Sequence, residues 1–139
     1  MTQAVYPVRD DRATRRDLGA AAWRGFVGRC PNCGKGRLFR AYLKVVDACP
    51  VCSEDLHHQR ADDAPPYVTM LIVGHIVVAG VLAAEEFWPT APIWLSAIVW
   101  IWLTFVLSLL LLPRVKGALV GYQWALRMHG FGGPEKDGP

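Results

Sequence analysis

The sequence predicts a small four-cysteine, ribbon-like module on the cytoplasmic side of a membrane, an α-helical hairpin of two transmembrane spans, and a C-terminal interfacial amphipathic helix. Three observations predict it. Residues 30–52, CPNCGKGRLFRAYLKVVDACPVC, carry two Cys-x-x-Cys pairs with fifteen residues between them. Two blocks, YVTMLIVGHIVVAGVLAA (67–84) and IWLSAIVWIWLTFVLSLLLL (93–112), are almost free of charge. Basic residues gather on either side of those blocks and are absent between them.

With 53% hydrophobic residues the chain is greasy for a soluble globule of 139 residues, and the excess sits in these two stretches. At 1.5 Å per residue they reach about 27 and about 30 Å, close to the hydrocarbon thickness of a bilayer. A buried hairpin of a soluble protein is the alternative, but few residues remain to cover it. A cleaved signal peptide does not fit, because the first 25 residues are polar and basic.

Charge then sets the orientation. Before Tyr67 stand eleven Lys or Arg and eight Asp or Glu; the connector EEFWPTAP has no Lys or Arg and two Glu; after Leu112 stand four and two. Basic residues are retained on the cytoplasmic side, so both termini are expected there, with Glu85 and Glu86 outside and Trp88 and Trp94 at the outer headgroups. Pro89 and Pro92 suit the turn between spans.

The four cysteines precede the first span and so face a reducing compartment, where structural disulfides are rare. Cys30, Cys33, Cys49 and Cys52 are therefore read as a tetrahedral four-thiolate metal site. Pro31 and Pro50 stiffen each turn, Gly34 supplies a permissive backbone after Cys33, and Ser53 stands where a second glycine is expected. Zinc is the default ion, with iron and Cu(I) as alternatives using the same ligands. A thioredoxin-type redox pair lacks its βαβ setting. A segment this short buries little core, and structural zinc supplies roughly 10–16 kcal/mol in such modules.

Around the module, residues 1–16 are charged and without apolar period, so disorder is expected. Residues 17–29, DLGAAAWRGFVGR, suit the inner headgroup layer or a packing arm on the ribbon. The ribbon runs 30–56 and a linker 57–66, in which Pro65 and Pro66 block a helix and set an extended approach to the membrane. In that linker Asp62 and Asp63 are expected to cap backbone or to pair with Arg60. A second metal site from His57, His58, Asp62 and Asp63 is weighed against a solvated linker. Pro113 is expected to break or kink the second span and open a helix over 113–130, with Val115, Leu119, Tyr122 and Leu126 on one face and Lys116, Gln123 and Arg127 on another. Arg114, Lys116 and Arg127 are its interfacial basic residues, Gly130 its stop, and 131–139 a flexible tail.

Inside the hairpin (67–86 and 93–112) His75 is the costly residue. Thr104 falls at the same depth of an antiparallel pair, in a stripe with Ser96 and Ser108, so a neutral His75 is expected in the seam, hydrogen-bonded near Thr104. Heme ligation or proton relay is the sharper alternative for His75. Ala79 with Ala83, and Gly80 with Ala84, allow close helix packing.

The stretches GRCPNCGKGRLFRAYLKVVDACPVC, RADDAPPY, GHIVV and LPRVKGALVGYQWALRMHGF, spread over about residues 24–131, resemble a bacterial membrane-protein family catalogued as domain of unknown function 983. The family has no established biochemical activity. Its proteobacterial members are often encoded among cytochrome c oxidase subunits and assembly factors, so the resemblance implies, by association, a role in respiratory-complex biogenesis.

No nucleophile–base–orienter set, phosphate-cradling glycine loop or intramembrane carboxylate pair is present, so no enzymatic reaction is read from the chain. The first expectation is an inner-membrane accessory or assembly protein that contacts lipids and a membrane-protein partner, such as a respiratory oxidase or its assembly factors. The second is a metal-handling or redox-sensing protein that uses the cysteines as its chemistry. The third is a membrane-tethered nucleic-acid binder, against which Asp47, Glu54 and Asp55 dilute Lys35, Arg37, Arg40 and Lys44, and anionic lipid accounts for those bases equally.

Overall fold

The computed structural model describes residues 16–60 and 64–131. Residues 1–15, 61–63 and 132–139, which carry the expectations for the N-terminal arm, for Asp62 and Asp63 and for the tail, lie outside the described residues. In chain order the elements are α1 (Leu18–Phe26), β1 (Phe39–Ala41), β2 (Lys44–Val45), α2 (Ala64–Phe87), α3 (Ile93–Ala125) and a 3-10 turn, Met128–Gly130.

Helices α2 and α3 are long and apolar enough to span a membrane, and protein covers almost nothing of them: 11% of the apolar window of α2 is buried and none of that of α3. Core helices of a soluble domain would be mostly covered, so these surfaces point to membrane association. Pro65 and Pro66 do not keep the chain extended as expected. They sit in the first turn of α2, where the amide a proline lacks has no intrahelical partner anyway.

The helix expected to start afresh at Pro113 is instead the continuation of α3, which runs 33 residues with Pro113 inside it. At about 50 Å it is longer than the hydrocarbon thickness of a bilayer, which its last third is therefore not needed to span. That third is held by α1 rather than by an interface alone. The face turned inward is Val115, Gly117, Val120, Gly121 and Trp124, whereas Tyr122 and Leu126, expected to be on the apolar face, are exposed.

The reason is backbone contact. A Cβ on Gly117 would meet the carbonyl of Gly25, one on Gly25 would meet that of Gly117, and one on Gly121 would meet that of Ala21. Small residues four apart on both helices thus let α1 and α3 touch main chain to main chain. The signal was present as GALVG, residues 117–121, and the periodic reading of larger side chains passed over it. Asp17 caps α1, its side chain accepting from the amide of Ala20 at 3.0 Å.

β1 and β2 form a short antiparallel hairpin pairing Phe39 with Val45 and Ala41 with Lys44. Leu38, Val45 and Leu56 of the ribbon pack with Ala21 of α1, Val120 and Trp124 of α3, and Phe131 in one core. The ribbon is therefore not a free appendage but is seated on the end of α3.

Within the hairpin, Pro65, Thr69 and Val73 form the buried stripe of α2. Further along, Gly80 receives the Trp100 ring, since a Cβ there would collide with it, while Ala79 and Ala83 are exposed.

Candidate metal centre

Each Cys pair folds as a tight knuckle. Gly34 N–H donates to Cys30 O and Ser53 N–H to Cys49 O, both at 2.9 Å. Each turn is closed by an isolated bridge, Arg29 with Arg37 and Ala48 with Asp55. The residue after each second cysteine is left-handed, Gly34 at φ 68° and Ser53 at φ 60°, so serine takes the glycine's conformation despite its Cβ. Gly36 is needed for a different reason: a Cβ there would strike the sulfur of Cys49.

The knuckles bring four sulfurs within 4.8 Å of one another. Cys30 Sγ lies 3.7 Å from Cys52 Sγ, and Cys33 Sγ 3.8 Å from Cys49 Sγ. A disulfide needs about 2.05 Å. Four sulfurs at about 2.3 Å around a tetrahedral ion stand about 3.8 Å apart, so the residues present fit a zinc-sized thiophilic ion. These four would hold it, and it would tie together two turns that no disulfide joins.

The sulfurs are not equivalent. Burial pushes the Cys30 thiol up to about 12 and raises Cys52 as well. Cys33 is brought down to about 6, first by the amide of Gly36 and then by that of Lys35, which donate to its sulfur at 3.5 and 3.4 Å. A bound cation favours all four as thiolates.

Several residues that sequence reasoning did not single out hold this centre in place. Arg24 of α1 donates to Pro31 O and Asn32 O, clamping the first knuckle. Asn32 donates to Glu54 Oε2 at 3.2 Å, linking the two knuckles. The other oxygen of Glu54 accepts from the indole of Trp124 at 2.8 Å, and the Arg16 guanidinium lies 3.8 Å from it and over the Trp124 ring. Glu54 thus joins the cysteine knuckles to the end of α3.

A family model described as "Protein of unknown function (DUF983)" matches residues 39–124, more than half of the chain. The chain belongs to that family. The match takes in the second Cys pair, α2 and α3 to Trp124, and begins after the first pair. No curated protein and no solved structure matches this DUF983 chain.

The structure does not join the two intramembrane residues expected to meet. Thr104 faces the seam, lining a groove with Val73 and Val77, and its hydroxyl donates to Trp100 O of its own helix. His75 is exposed on another face of α2, with Nδ1 2.7 Å from Leu71 O. Two residues from Val73 along a helix is a rotation of about 200°, which turns His75 away from the seam. Of the basic residues assigned to an interface, Arg114 lies over the Phe26 ring of α1 at 5.9 Å, Lys116 is half-buried, and Arg127 leaves α3 in a left-handed conformation.

Proposed function

We propose that this DUF983 protein is a non-catalytic accessory factor of the bacterial inner membrane, both termini cytoplasmic, that docks a helix of another membrane protein against the His75 face of α2. Its four-thiolate module, holding zinc, acts as the rigid base that fixes α1 and the end of α3. The observation that carries the reading is the hydrogen-bonding state of His75. A carbonyl only accepts, so the ring nitrogen facing Leu71 O carries the hydrogen, and Nε2 is the ring atom left to meet a partner.

The ring lines a groove of about 500 Å³ together with Leu71, Gly74, Val78, Ala79 and Leu82. Lipid tails offer no hydrogen-bond partner, and a polar group at membrane depth is costly without one. The fitting partner is a helix of another membrane protein that carries a polar side chain, such as a hydroxyl, amide or indole, able to pair with Nε2. The placing of family members beside oxidase genes supports oxidase biogenesis as the setting.

The test is oxidase content, read from heme absorption in membranes of a deletion strain. Reduced oxidase restored by the wild-type chain but not by His75→Phe is the expected result; unchanged oxidase on deletion would remove the reading. A second reading, metal exchange through the cysteines, draws on the half-exposed Cys33 and Cys52 and the low-lying Cys33 thiol. It predicts zinc that a copper challenge displaces, where the first predicts zinc that stays.

A further inference from the structure

We infer that Asp55, His57 and His58 form a second metal site, separate from the four-thiolate centre, for a borderline divalent transition ion such as Zn²⁺, Ni²⁺ or Cu²⁺. Sequence reasoning paired the two histidines with Asp62 and Asp63; the fold supplies a different carboxylate. Asp55 lies on the closing bridge of the second knuckle, opposite Ala48. The next residue, Leu56, is fully buried and its amide donates to Asp47 O at 2.8 Å, so the backbone is anchored there. A tight turn follows, Gln59 N–H donating to Leu56 O at 3.3 Å, with His57 and His58 at its two central positions.

That turn makes neighbours converge. His57 Nδ1 contacts Asp55 Oδ1, His58 Nε2 lies 3.5 Å from Asp55 Oδ2, and the imidazole centroids are 3.9 Å apart. One ligand atom from each residue falls within 4.8 Å of the others. His58 is not a mobile arm. Its ring meets Phe131 edge-on at 6.0 Å and occupies the space a Cβ on Gly130 would need. His57 and Asp55 remain open to solvent.

The donor set selects the ion. Two imidazoles and one carboxylate suit borderline divalent transition metals over Mg²⁺ and Ca²⁺, which prefer all-oxygen shells, and over Cu(I), which prefers sulfur. Three protein ligands on an exposed turn leave coordination positions for water or an incoming ligand, as structural four-thiolate sites do not. The ion is therefore expected to exchange while the thiolate-bound one stays.

The experiment uses the untagged full chain in detergent, carrying one equivalent of zinc on its cysteines and titrated with Ni²⁺ by calorimetry, with metal analysis after gel filtration. One Ni²⁺ per chain beside retained zinc is expected. His57→Ala/His58→Ala should keep its zinc and lose the nickel, and Asp55→Asn should weaken nickel binding at least about tenfold. Should the double variant lose zinc as well, His57→Ala alone, changing an exposed ring, gives the reading in its place. Absence of nickel binding by the wild-type chain, or binding undiminished in the zinc-retaining His variant, overturns the inference.

Discussion

The Tyr42 hydroxyl donates to the carbonyl oxygen of Leu109 at 2.8 Å, and Leu109 is the residue whose carbonyl loses its helical partner because Pro113, four residues on, has no amide hydrogen. The tip of the ribbon hairpin thus mends the one gap in the hydrogen-bond ladder of α3. It also explains how the helix continues through a proline.

Tyr42→Phe should therefore cost about 1 kcal/mol of stability, the usual worth of one such bond. In a Pro113→Ala background the amide at 113 satisfies Leu109, so the same substitution should cost little. Unfolding of the detergent-solubilised variants measures both. Equal losses in the two backgrounds would disconnect the tyrosine from the proline.

Gly117→Ala should lift α1 from α3, because its Cβ meets the main chain of Gly25, which has no side chain to move aside. Amide exchange over Leu18–Phe26 is expected to accelerate. Gly74→Ala is the matched control: nothing lies within 4 Å of that Cβ, and alanine favours the helix by about 1 kcal/mol. Faster exchange in both variants, or in neither, contradicts the proposed backbone contact.

Ser53 adopts the left-handed conformation at a cost of about 1–2 kcal/mol relative to glycine, partly offset by the greater freedom glycine has when unfolded. Ser53→Gly should accordingly slow metal loss to a chelator. Faster loss would indicate that the serine hydroxyl is needed in the knuckle.

In the metal-free chain Cys33 should be the first sulfur alkylated. Its pKa of about 6 lies below the ordinary thiol value, so its thiolate already predominates between about 6 and that ordinary value and is lost as pH falls through about 6. Cys30, pushed up to about 12, stays a thiol throughout this range and should lag. Peptide mapping after iodoacetamide at several pH values reads the order. Simultaneous labelling of all four near the ordinary thiol value would show the knuckles to be unfolded without metal.

By itself the sequence determined the four clustered cysteines, the knuckle turns and the two long apolar helices, because each is a local pattern: a Cys-x-x-Cys turn, a left-handed residue after it, an uncharged run of membrane length. Tertiary structure alone decided which face of α3 beyond Pro113 is buried, that His75 turns away from Thr104, and that Asp55 joins His57 and His58. The bonds that settle the architecture join Tyr42 to Leu109, Glu54 to Trp124 and Arg16 to Trp124, across 67, 70 and 108 positions. No short window contains both partners of such a pair. A proline reads locally as a break, and becomes a continuous helix only where a distant donor meets the carbonyl it leaves open.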